Sequence, residues 1–201
     1  MDTAVVVVDI GSPEKGRLGW YSFHTGNIVS GKDIDQLVFH LSELSAYAGI
    51  ALGFESPLFI PARDDPNKLT SARLGEGNRA WSAGAGTGVL ATGLVVISYI
   101  LRKLKVLRPT ISGTFLNQAN LPQENEIAFF EAFVSGSSKS TDHIGDAVVA
   151  ANELIRRIKI GKIESDVTVN NSLNLLAACL LHAGWPIETS LIKEPVIVVK
   201  V

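Results

Sequence analysis

Thr3-Ala4-Val5-Val6-Val7-Val8-Asp9-Ile10 is an apolar, β-branched run interrupted only near its end, by one acid. Four consecutive valines show no alternation of polar and apolar residues, so both faces of the strand they predict must be covered. That is the condition of a central strand in an α/β sheet with helices on each side. Asp9 stands where this strand stops, at the rim where open α/β sheets bind ligands. Working outward, Gly11, Pro13 and Gly16 punctuate a turn, and the aromatic-rich segment 17–24 predicts a second strand. Thr25-Gly26-Asn27 reads as a tight turn into a short third strand at Ile28-Val29-Ser30, so the chain opens as an antiparallel meander.

The period then changes. Ile34, Leu37, Val38, Leu41 and Leu44 recur at helical spacing behind Asp33, predicting a helix over 33–47. Ile50-Ala51-Leu52-Gly53-Phe54 predicts a fourth strand ending at Glu55-Ser56-Pro57. Residues 58–87 read as an irregular insertion loop, of a length that inside a compact domain is usually functional or else poorly ordered. Helices are expected over 86–107, 142–158 and 171–183, and strands over 127–134 and 196–201. The order is β-β-β-α-β-α-β-α with an extra α-β, which predicts an α/β fold with a mixed sheet flanked by helices. All of 1–201 is read as one domain, with a core of 1–158, the insertion at 58–87 and a C-terminal α-β extension at 165–201.

Composition narrows the function. Of 201 residues, 46% are hydrophobic and 19% charged, which excludes a disordered chain. Eighteen basic against twenty acidic residues, a net charge of −2, excludes a polybasic nucleic-acid binder. One cysteine, Cys179, forms no internal disulfide and reads as a core residue, which fits a reducing cytoplasm. Met1-Asp2-Thr3-Ala4 lacks the basic start of a signal peptide, so none is expected. The 22 uncharged residues between Arg79 and Arg102 begin glycine-rich and are greasy only from Val89 to Leu101, suiting a buried helix, with no membrane expected. The leucine-rich stretch Leu173, Leu175, Leu176, Leu180, Leu181 is expected to be buried, either internally or at the seam of a homodimer.

The acids carry the chemistry. Asp9 and Glu55 end two hydrophobic strands, and adjacency of those strands would put them side by side. Asp146, in the first turns of a helix, can reach the same rim. Clustered carboxylates repel unless protonated or bound to cations. Hard divalent ions, Mg²⁺ or Mn²⁺, are the natural partners, and such sites hydrolyse phosphodiesters. Each acid also has a plainer role available: Asp9 as a turn opener, Glu55 as an exposed strand end, Asp142 as a helix cap and Asp146 as a first-turn acid favourable to the helix dipole.

Val5-Val6-Val7-Val8-Asp9-Ile10-Gly11 with Gly19-Trp20, then Gly53-Phe54-Glu55-Ser56-Pro57-Leu58, then His143-Ile144-Gly145-Asp146-Ala147, resemble the ribonuclease H-like superfamily, most nearly its branch of predicted nucleases. The His-x-x-Asp spacing is also similar to the Holliday-junction resolvases. By order of elements the resemblance spans residues 1 to about 158. It implies Asp9, Glu55 and Asp146 as catalytic metal ligands for Mg²⁺ or Mn²⁺, and His143 as an accessory ligand or proton donor. Asp142 competes with Asp146 for the third place, and Glu131 is a supporting acid behind the ligands. Strand four ends here in Glu where that branch commonly has Asp. The implied activity is metal-dependent cleavage of nucleic acid or another phosphodiester.

Residues 58–110 carry eight of the Arg and Lys residues against three acids, a basic stretch suited to a phosphate backbone. Arg102, Lys103 and Lys105 are read as solvating a helix C-terminus. Arg63, Arg73, Arg79 and Trp81 are the expected substrate contacts. Gly84-Ala85-Gly86-Thr87-Gly88 matches no phosphate-loop pattern and reads as a flexible approach to a helix. Two other readings stand beside the nuclease. One is a phosphotransferase resembling actin and sugar kinases, through Asp9-Ile10-Gly11. The other is a non-catalytic binding module that keeps the fold.

Overall fold

The computed structural model describes residues 3–201; Met1 and Asp2, part of the signal-peptide reading, lie outside the described residues. The first run forms β1 (Thr3–Asp9), buried along its whole length. It pairs antiparallel with β2 (Gly19–His24), which pairs with β3 (Asn27–Gly31). Thr25 and Gly26 both take positive φ, 47° and 92°, the two-residue turn whose twist matches a hairpin. α1 (Ile34–Leu44) starts where Asp33 accepts the Gln36 amide at 2.8 Å, and it buries Leu37, Val38, Leu41 and Leu44 at the expected spacing.

β4 (Gly49–Glu55) lies parallel to β1 on its other side, in a register that sets Asp9 opposite Glu55. β7 (Glu126–Phe133) is parallel to β4. The outer edge of β7 is shared: β6 (Ser112–Phe115) pairs with its first half and β9 (Val198–Lys200) with its last residues, both parallel. The sheet order is β3-β2-β1-β4-β7-β6, with β9 beside β6 on the same edge of β7. The sheet is mixed, parallel through its centre and antiparallel at one edge.

Side chains of β1 alternate between two cores. Val6 and Val8 join α1, α2 (Ala85–Leu107) and α4 (Leu175–His182) on one face, while Val5 and Val7 join α3 (His143–Lys159) on the other. Three helices cover one face and one covers the opposite face, which explains the valine run without alternation.

The structure adds elements to the sequence reading. β6 was not expected, since four half-buried residues after a proline give no clear period. The insertion 58–87 carries β5 (Phe59–Pro61), which pairs with β8 (Ser172–Asn174) in a separate two-stranded sheet. The helix expected over 171–183 is therefore shortened to α4, with Asn174 capping it by accepting the Ala177 amide at 2.8 Å. The expected final strand narrows to β9 and joins the main sheet. The leucine-rich stretch expected to be buried is only partly so: within α4, Leu176, Cys179 and Leu180 are buried, whereas Leu181 of α4 and Leu173 of β8 are exposed. Among the described residues, α2 alone is long and apolar enough to cross a membrane by length and composition. One side of it, from Gly93 to Leu104, packs on the core, and Val95 and Val106 on the other side are exposed.

Candidate active site

β1 and β4 both run toward the same rim, so their parallel pairing brings Asp9 and Glu55 to neighbouring positions at their C-terminal ends. The third acid comes from α3. This helix starts against β2 at Gly19, the register partner of Asp9. A Cβ on Gly19 would lie 2.4 Å from the carbonyl carbon of His143 and 2.5 Å from the amide nitrogen of Ile144. Without that atom, the first turn of α3 closes directly onto the sheet. His143 and Asp146, three residues apart, then share the helix face that looks at Asp9.

The outcome is a cluster: one carboxylate oxygen from each of Asp9, Glu55 and Asp146 lies within 4.8 Å of the others. His143 Nδ1 sits 2.5 Å from Asp9 Oδ2. Asp146 accepts the Ser140 amide at 2.5 Å. Lys139, in the loop between β7 and α3, places its ammonium 3.3 Å from Glu55 Oε1 and 3.3 Å from Asp146 Oδ2. Glu55 Oε2 is buried and has no hydrogen-bond partner among the described residues.

The electrostatics follow from this crowding. Burial, and then the neighbouring charge of Asp9, push the Glu55 carboxyl up to about 8, outweighing the opposing pull of Lys139. Burial also raises Asp9, against the hydrogen bond and charge of His143. Burial opposes the charge on Lys139, but Glu55 and Asp146 hold its ammonium above the ordinary lysine range. Three acids thus share one half-exposed ammonium and a histidine, and the trio is under-compensated.

A cleft of about 510 Å³ opens from Asp9 and Glu55. Arg79 and Trp81 line it, together with Lys139, His143 and the glycine-rich start of α2. Trp81 is fixed by its indole N–H, which donates to the Ser71 carbonyl at 3.2 Å.

Other expected site residues have different roles. Asp142 caps α3, accepting the Gly145 amide at 2.7 Å, and the third carboxylate of the cluster is Asp146. Arg63 is corrected from substrate contact to loop brace: it donates to the carbonyls of Lys68, Ser71 and Ala72. Arg73 is likewise corrected. Its side chain is 1% exposed and, although it borders the cleft, its guanidinium is held by Glu76 at 2.8 Å and Glu131 at 2.5 Å, with a further bond to the Phe59 carbonyl. Glu131 stands beside β4, opposite Phe54, yet its carboxylate is spent on Arg73 and on the Leu58 amide. It supports the site through the backbone just beyond Glu55 rather than through the trio.

Sequence reasoning missed Lys139. It is the lone charged residue of the serine-rich loop 135–141, and that isolation, between a strand end and a helix bearing an acid, is the one signal that could have marked it. Comparisons with family models, with curated proteins and with solved structures find no match to this chain.

Proposed function

We propose that this chain is a divalent-metal-dependent phosphodiester hydrolase, a nuclease, on a ribonuclease H-like sheet. The observation that carries the reading is the convergence of Asp9, Glu55 and Asp146, from two parallel strands and a helix far apart in sequence, onto one spot at the sheet rim. The strand order, an antiparallel three-strand edge followed by parallel β4 and β7, supports the superfamily resemblance. The donor set fits a hard cation: oxygen ligands only in the trio, one buried carboxylate oxygen left unpartnered, and too little positive charge for three acids. Asp9, Glu55 and Asp146 would hold Mg²⁺ or Mn²⁺. When bound, such a cation supplies charge compensation and Lewis-acid stabilisation of a phosphodiester under attack.

The chain's own residues do the rest. Asp9 orients the His143 ring through Nδ1, leaving Nε2 as the nitrogen that exchanges a proton with substrate or water. The trio is largely buried, so charges placed there interact more strongly than in bulk water. Arg79, which lines the cleft, meets a phosphate there, and Trp81 offers a ring on which a base stacks.

The test is cleavage of single- and double-stranded DNA and RNA oligonucleotides in Mn²⁺ or Mg²⁺, with Asp9→Asn alongside. Scission that needs the metal and disappears in the variant is expected. Absence of Mn²⁺ binding by calorimetry overturns the proposal, and phosphoryl transfer from a nucleotide in place of scission would favour the phosphotransferase.

A further inference from the structure

The proposed reaction makes no use of Lys139. Its ammonium touches two of the three acids, at 3.3 Å each, and approaches them from the cleft side, which it also lines. Of its three N–H donors, two serve Glu55 Oε1 and Asp146 Oδ2, and Glu55 Oε2 stays unpartnered, so this lysine neutralises the trio only in part. The side chain is 39% exposed, unlike the acids it touches. Its backbone neighbour is tied down, since the Ser140 amide donates to Asp146 Oδ1. The ammonium can therefore swing into the cleft on its flexible stem while the loop holds its place.

We propose that Lys139 is a tethered competitor for the metal: its ammonium fills in for a divalent ion at the trio, and each must leave for the other to bind. The inference rests on the metal-site reading. A lysine ammonium and a divalent cation repel strongly at oxygens they would have to share. Swung outward, Lys139 enters the cleft that Arg79 also lines, where a substrate phosphate would attract it. Anionic substrate and metal would then each favour the other, because drawing the lysine away vacates the carboxylates. The device keeps the trio charge-compensated and the metal loosely held until a phosphodiester arrives.

Two measurements on the full chain test this. Calorimetric titration with Mn²⁺ compares the unaltered protein with Lys139→Met; removal of the competitor should tighten binding by roughly tenfold, within the usual range of coupling between sites. In the unaltered protein, mass spectrometry follows acylation of Lys139 by an amine-reactive reagent, and saturating Mn²⁺ should raise its rate by about fivefold, since a displaced ammonium is freed from its ion pairs. Equal Mn²⁺ affinity in both proteins, or a Lys139 labelling rate that Mn²⁺ leaves unchanged, overturns the competition while leaving the metal site standing. Failure of both proteins to bind Mn²⁺ overturns competition and metal site together. Should Lys139→Met fail to fold, the labelling experiment decides alone.

Discussion

Two clusters of buried charge border the same cleft, and they are built on opposite terms. Around Arg73, every carboxylate oxygen is spoken for. Glu76 takes the Arg73 Nε–H and the Arg73 backbone amide, and Glu131 takes two guanidinium bonds and the Leu58 amide. A guanidinium that never loses its proton faces two acids in fixed bidentate geometry. At the rim, three acids face a half-exposed ammonium, one oxygen has no partner, and Glu55 is pushed up to about 8. The first arrangement is finished; the second is short of positive charge. Saturated clusters of this kind hold a fold together, whereas the deficit at the cleft is the ground for proposing a cation site there.

The largest expected effect attacks the finished cluster. Arg73→Met strands two buried carboxylates and should lower unfolding free energy by about 5 kcal/mol, the upper range for removing one partner of a buried ion pair, as read by urea denaturation. Asp9→Asn should do the reverse: an unfolding midpoint equal to or above that of the parent, with metal-dependent scission reduced on the order of 10³-fold, about 4 kcal/mol, in steady-state assays. If Asp9→Asn unfolds the chain while Arg73→Met spares it, the contrast is inverted.

Protons sharpen the same comparison. Glu55 is protonated in the folded chain up to about pH 8 but ionised in the unfolded chain above its ordinary value of 4.5, so the folded state holds the extra proton in between. Stability in chelator should therefore fall as pH rises from about 5 to 8, by an amount on the order of 4 kcal/mol, and then level off. Asp9, also raised, adds to the slope with the same sign. Glu55→Gln should flatten it. Trp81→Ala should raise KM about tenfold for a single-stranded substrate, roughly 1.4 kcal/mol, at nearly constant kcat. Asp142→Ala, which removes only a helix cap, should cost about 1 kcal/mol of stability.

What could be read from the chain beforehand divides along the same line. Asp9 and Glu55 were visible because apolar strand runs end abruptly at them, and Asp146 because it follows His143 by three residues on a helix with a clear apolar period. Asp142 was legible as a cap for the same local reason. Arg73 looks like any basic residue of an irregular loop; that it turns inward depends on Glu131, 58 positions away. Lys139 is marked in the sequence only by its isolation in a serine-rich loop, since the direction of a lone lysine is fixed by how the loop turns. The short strands β5, β6 and β8 exist through their pairing partners rather than through any period of their own, so local patterning could not announce them.

Gly19 bears on the whole arrangement although it carries no charge and no side chain. Because a methyl group there would strike the main chain of α3, Gly19→Ala offers a spacer of known size between helix and sheet. Inserting it would back His143 and Asp146 away from Asp9 while every ionisable group stayed in the protein. The rim can thus be detuned sterically, separating how far apart its members stand from what they are made of.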